Sequence, residues 1–323
     1  MDFKRLRIQY FRKWEPKISI EHYNNSLLFP VEKNYLERIK NEFFVPYRFK
    51  YRVDENYNKQ LSFMIDALEF LPLRPDLAFD SMFKSLESSM SYIDRGNRPG
   101  STTNTTDLLT LFAEVLESKI ASNQNLSLLT DKLYNYMPVQ VYEYIVKKSL
   151  GEFDPSVPFK ANGSSYKRIA LISPNIEGLI TVMSGIYGHK NNNLEAKETR
   201  NASMLIRKLM IKKDSDEKIK IPKGSNNVYM LDEKEKLKLI ASGLLYTYRN
   251  DRFHANTFSP FKSSKATIKT YAFAHFAFLF AYYLVLLLVH EENPEKNKLK
   301  DIYYNLNYNL DLFKDIYGRH LKG

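Results

Sequence analysis

From Ala272 to Val289 the chain reads AFAHFAFLFAYYLVLLLV, a run without one formally charged residue. A helix that is apolar on every side has two homes. It crosses a hydrocarbon core, for which this run approaches the usual length of about 20 residues, or it is wrapped by other helices inside a bundle. The polar handles favour the bundle: His275, Tyr282 and Tyr283, with Tyr271 just before the run, suit a surrounding protein, and no second stretch is a spanning candidate. On this reading His275 is a satisfied core histidine. A composition of 44% hydrophobic residues with only 11 glycines and 13 prolines agrees with a packed, helix-leaning chain.

The expected fold is therefore all-α, one helical bundle enlarged by extra helices over residues 56–323, with a small N-terminal appendage at 1–55. Within the appendage Val31 to Phe44 is helical in pattern, and VPYRFKYRV alternates like a short strand. Leu61 to Leu71 is a helix closed by Pro72, and Pro75 opens the next, in which Phe79, Met82, Phe83, Leu86, Met90 and Ile93 form one buried stripe. RGNRPGSTTNTTD is a loop. Helices follow at Leu108 to Ala121 and at Leu126 to Leu150, and GEFDPSVPFKANGSSYKR, residues 151–168, is a long connection where a subdomain boundary can fall. Further helices are expected near Ile176 to Ile186 and Leu194 to Lys212. The stretch DSDEKIKIPKGSNNVYML, around 214–230, reads as a short inserted β-hairpin with its turn at Lys-Gly-Ser-Asn-Asn.

The 48 basic residues outnumber 37 acidic ones, a formal net charge of +11 that favours polyanionic partners such as nucleic acid or anionic lipid without choosing between them. Cysteine is absent, which removes disulfides, thiolate catalysis and cysteine-ligated zinc. The first residues, MDFKRLRIQYFRKWEPK, are basic without the apolar stretch of a secretory signal, so a cytoplasmic protein is expected. The six histidines show no paired metal-ligand spacing, no phosphate loop or dinucleotide fingerprint occurs, and no metal or cofactor is expected. Asp214 and Asp216 belong to a charge run of the kind found in solvated loops, and His290-Glu291-Glu292 reads as a helix end.

Chemistry concentrates between Leu231 and His254. The acidic run DEKE opens a helix, and Leu237, Ile240, Ala241, Leu244, Leu245 and Tyr248 form its core stripe. Polar residues begin where the stripe stops, at Arg249-Asn250-Asp251-Arg252-Phe253-His254. Asn250 and His254, four apart, share a face, and Arg249 has the reach to converge with them on one phosphate. That set suits RNA cleavage by the ribose 2′-hydroxyl. His254 moves protons near neutral pH, Arg249 holds charge on the phosphate through two bonds, and Asn250 orients the phosphate or the histidine. Arg252, and Lys262, Lys265 and Lys269 in the following NTFSPFKSSKATIK, are candidate RNA contacts, with Phe258 and Phe261 interleaved for base stacking.

YRNDRFHA resembles the R-x4-6-H motif of the HEPN superfamily, in the form with asparagine directly after the arginine. The long apolar helix after it also resembles that family's bundle, and PDLAFDSMFKSLES looks like an early bundle helix. The resemblance implies a helical-bundle endoribonuclease, usually a homodimer with a composite active site, that works without metal and leaves 2′,3′-cyclic phosphate ends. It also implies toxin-antitoxin, abortive-infection or antiviral settings, with an antitoxin or other regulatory partner. Alternatives stay open. His254 can simply cap its helix while Arg249 pairs with an acid, leaving a non-catalytic RNA-binding module, and the run at 272–289 can serve a membrane-acting effector.

Overall fold

The computed structural model describes residues 30–39, 42–50, 52–97, 105–188, 195–211, 219–220, 228–254 and 259–321, with residues 5, 8, 9 and 12 besides. Short α1 (Pro30–Leu36) is followed by a strap, irregular at residues 42–50 and 52–54, and then by α2 (Glu55–Phe70), whose first turn is capped by the Asp54 carboxylate accepting from the Tyr57 N–H at 2.7 Å. Helix α3 (Pro75–Asn97) begins on a proline whose fixed φ suits a first helical position, and α4 (Thr105–Ser122) follows. Residues 98–104 of the expected loop lie outside the described residues.

The expected helix over Leu126 to Leu150 is two helices, α5 (Gln124–Tyr136) and α6 (Val139–Ser149). Pro138 is the reason: it donates no backbone hydrogen bond and pushes the residue before it out of helical geometry. The connection at 151–168 carries a turn of helix at Phe159–Ala161 and the start of α7 (Ser164–Ala170), so it is partly helical. Ser173 then caps α8 (Pro174–Tyr187), and α9 (Ala196–Ile211) comes next. Ile219–Lys220 and Val228–Tyr229 form one antiparallel pair, Ile219 opposite Tyr229; the expected turn between them lies outside the described residues, as do Asp214 and Asp216. Otherwise the described fold is all-helical.

The chain closes with α10 (Glu233–Ile240), a π-helical turn (Ala241–Tyr246), α11 (Thr247–Phe253), α12 (Ile268–Glu292) and α13 (Leu299–Leu321). Helix α12 is the axis of the molecule, buried on all sides, and it packs against α3, α13, α6 and α1. The expected stripe of α3 delivers Phe79, Met82, Phe83, Leu86 and Met90 to this core, with Ile93 at its margin. The tyrosine handles of α12 are used: Tyr283 shares a 2.9 Å hydrogen bond with Thr130, and Tyr282 accepts from the Tyr47 N–H at 2.7 Å while donating to Asn305 at 2.9 Å.

His275 departs from expectation. It is fully buried, stacked on Phe43 and flanked by Phe313 and Tyr317, and neither ring nitrogen has a partner among the described residues. Burial lowers its pKa to about 3, so the ring is neutral.

Among the described residues of VPYRFKYRV the expected strand does not form, because polar backbone there is satisfied by side chains instead of a neighbouring strand. The Val45 N–H donates to Asn309 at 2.8 Å, the Val45 carbonyl accepts from Asn305 and Asn309 at 2.8 Å each, and, Pro46 having no N–H, Tyr282 takes the next one, from Tyr47. Phe43, Tyr47 and, on α1, Tyr35 are buried in the same core as α12. Where it is described, the expected appendage thus packs as part of the bundle.

Candidate functional site

Asp232 and Glu235 form a capping box at the start of α10: the Glu235 N–H donates to the Asp232 carboxylate at 2.7 Å, and the Asp232 N–H donates to the Glu235 carboxylate at 3.2 Å. The stripe Leu237, Ile240, Ala241, Leu244, Leu245 and Tyr248 is buried as expected. Between α10 and α11 the backbone widens into the π turn, where the Thr247 hydroxyl donates five residues back to the Ser242 carbonyl at 2.8 Å. One extra residue per turn shifts every later side chain around the axis, a device frequent beside functional sites.

Beyond that turn, neighbouring motif residues go to different partners. Asp251 points inward, accepting from the Tyr144 hydroxyl at 2.7 Å and from Lys148 at 2.9 Å; burial first, then the Asp251 charge, holds the Tyr144 phenol far above its usual range. Arg252 reaches across to α3 and grips both oxygens of Asp80, at 2.6 to 3.0 Å, and one of Asp76 at 3.0 Å. Asp76 is fully buried and is also held by two 2.9 Å bonds from Arg74. Burial raises the Asp76 pKa, but Arg74 and Arg252 outweigh it and hold the group ionised below its ordinary value. At Asp80 burial wins and the value rises, while the ion pairs lift Arg252 above its ordinary value against the pull of burial.

Arg249 lies half-buried with its Nη1 donating to Asn250 Oδ1 at 3.0 Å, its Nη2 3.7 Å from Glu87 of α3, and its guanidinium 4.5 Å from the centre of the exposed Phe253 ring. Its Nε is buried without a partner among the described residues. His254 ends the helix as its C-cap, its N–H donating to the Asn250 carbonyl at 3.0 Å, and its side chain is exposed. The structure therefore joins Arg249 and Asn250 directly and sets His254 one turn on at an open helix end.

The outer RNA contacts fare differently. Arg252 is committed to Asp76 and Asp80, and Lys262 is ion-paired with the buried Glu32, with its pKa lowered by its own burial. Both side chains are thus engaged in ion pairs within the protein. Phe261 is fully buried and stacked on Tyr271 with ring centres 4.0 Å apart, so it is core and no base-stacking platform. Lys265 is exposed and Lys269 half-buried, while Phe258 lies outside the described residues.

Phe253 and the acidic line of α3 escaped the sequence reading. Asp76, Asp80 and Glu87 stand at i, i+4 and i+11, spacings that place three carboxylates along one side of a helix. That pattern, opposite a motif with two arginines, was a findable signal.

Comparison of the chain with protein-family models, with curated proteins and with solved structures returned no match. The functional reading rests on the residues themselves.

Proposed function

We propose that the end of α11 is a metal-independent, HEPN-type ribonuclease site that cuts RNA by attack of a ribose 2′-hydroxyl, leaving 2′,3′-cyclic phosphate and 5′-hydroxyl ends. The observation that carries this reading is the hydrogen-bonded pair Arg249–Asn250 one turn before an exposed His254, on a helix end anchored by Asp251 and Arg252. The 2′-oxygen loses its proton to a base, bonds to phosphorus, and the 5′-oxygen leaves with a proton. His254 carries out one of these transfers, and the same residue of a second copy the other, so the reading includes a homodimer with a composite site. Arg249 neutralises the charge that grows on the phosphate, exchanging its long contact with Glu87 for two bonds to phosphate oxygens, and Asn250 fixes the guanidinium plane. A role as a toxin or antiviral effector restrained by a regulatory partner, in the cytoplasm, belongs to the same proposal by family analogy.

The test is cleavage of total tRNA and structured RNA in EDTA, with end analysis. Wild type yields cyclic-phosphate ends, and His254→Ala and Arg249→Ala each lose roughly a hundredfold or more in rate. Intact RNA with the wild-type protein sinks the reading.

A second reading, RNA binding without turnover, is favoured by the two structural uses visible here, His254 as a helix cap and Arg249 as partner of Glu87. It predicts that wild type retains RNA on a filter without cutting it and that Arg249→Ala weakens retention. The membrane-acting alternative draws no support from α12, whose apolar run is 94% buried inside the bundle.

A further inference from the structure

Away from the motif, α1, α5, α9 and α13 enclose an open cavity of about 1280 Å³. Five cationic side chains line it: Arg38, Lys132, Arg207, Lys314 and Arg319. Two of them are ordered around one ring, since the ammonium groups of Lys132 and Lys314 stand 5.7 and 5.4 Å from the centre of Tyr136. Lys132 also pairs with Asp311 at 2.8 Å and donates to Asn307 at 2.7 Å, so it is held in place. Arg207 of α9 lines the same cavity and is half-buried, so part of its guanidinium side chain is held by the surrounding protein. Arg38 donates to the His320 ring at 3.0 Å, and that ring is pushed below its ordinary value by burial first and then by Arg38, Lys269 and Arg319. A positive field thus extends along this edge.

The rest of the lining is not basic. Leu128, Ile316 and Leu321 supply an apolar surface, Leu128 being 48% exposed, while Glu37, Asp131 and Asp315 supply carboxylates. Cations for phosphate oxygens, carboxylates that accept from hydroxyl or amino groups, and an apolar wall for a ring match the three parts of one ligand class.

We propose that this cavity binds a nucleotide, its phosphates on Arg207, Lys314 and Arg319 and its base along Leu128 and Ile316. The inference does not rest on the ribonuclease reading.

Isothermal titration of the full chain with ATP, AMP and inorganic pyrophosphate tests it. ATP and AMP bind, pyrophosphate binds more weakly than ATP, and Arg207→Gln and Lys314→Gln each weaken ATP by about tenfold or more. Lys314 is exposed, so its variant keeps the test valid should Arg207→Gln fold poorly. No heat with any probe at about 1 mM, or ATP affinity unchanged in a variant that melts like wild type, overturns the proposal. Pyrophosphate bound as tightly as ATP overturns its nucleotide part and leaves a plain anion site.

Discussion

Arg252 illustrates how one side chain can tie a motif helix to its neighbour. Its guanidinium is the shared partner of Asp76 and Asp80, and Asp76 has no exposure to water. Removing it strands two carboxylates, the more buried of them left with Arg74 alone. Arg252→Ala is expected to cost about 3 kcal/mol in urea unfolding, because a buried pair broken on one side leaves an uncompensated charge; a loss under 0.5 kcal/mol would refute the strut. His275 supplies the other residue-scale prediction. Folding holds its ring neutral, with a pKa lowered to about 3, whereas the unfolded chain takes up a proton near the ordinary value of about 6.5. The unfolded state therefore binds more protons between those values, and stability that is full above about pH 6.5 falls by roughly 1.4 kcal/mol for each pH unit down toward 3. His275→Leu flattens that part of the profile. Identical slopes in the two proteins between pH 6 and 4 would show that the ring does not govern it.

At the scale of elements, the π turn ahead of α11 makes a specific claim. Gly243 sits within it, and the nearest atoms a β-carbon there would meet are side-chain atoms of Ile169, Leu239 and Ile145 at 3.6 to 3.7 Å, ordinary contact. Glycine is therefore not required for space, and Gly243→Ala is expected to stabilise by about 0.5 kcal/mol through the unfolded state, read as a rise in the urea midpoint. A drop of 1 kcal/mol or more would mean that the widened turn needs glycine's freedom. The elements legible from sequence were those with one dominant period: the α3 stripe, the α10–α11 stripe and the uniformly apolar α12. Those that were not legible answer to long-range partners. VPYRFKYRV alternates like a strand, yet Asn305 and Asn309 from α13 satisfy Val45, and α13 itself went unread, its apolar positions diluted by asparagines and tyrosines that now serve as partners for the strap. Phe261 read as a surface aromatic because nothing local reveals that Tyr271 lies over it. At the site, Arg249, Asn250 and His254 were named from spacing, whereas Glu87 and the Asp76–Asp80 anchor needed α3 brought alongside.

For the whole molecule, a formal charge of +11 gives the proposed RNA binding a salt dependence that can be measured. Filter binding is expected to weaken by about tenfold or more between 50 and 200 mM salt, and a flat response would point to an apolar or shape-driven contact instead. Dilution tests the composite site: cleavage per unit of protein should fall once the concentration drops below that at which light scattering shows dimers parting. A rate strictly proportional to protein concentration across that range leaves each copy self-sufficient. Helix α12 has a last consequence, for the chain as it is made. Synthesis runs from the N-terminus, so α2 to α11 leave the ribosome before the apolar run does, and its partner α3 is waiting when it emerges. A circular permutant that brings residues 268–292 out first would present the membrane-insertion machinery with a segment that passes for a span by length and composition, before any of its bundle partners exists.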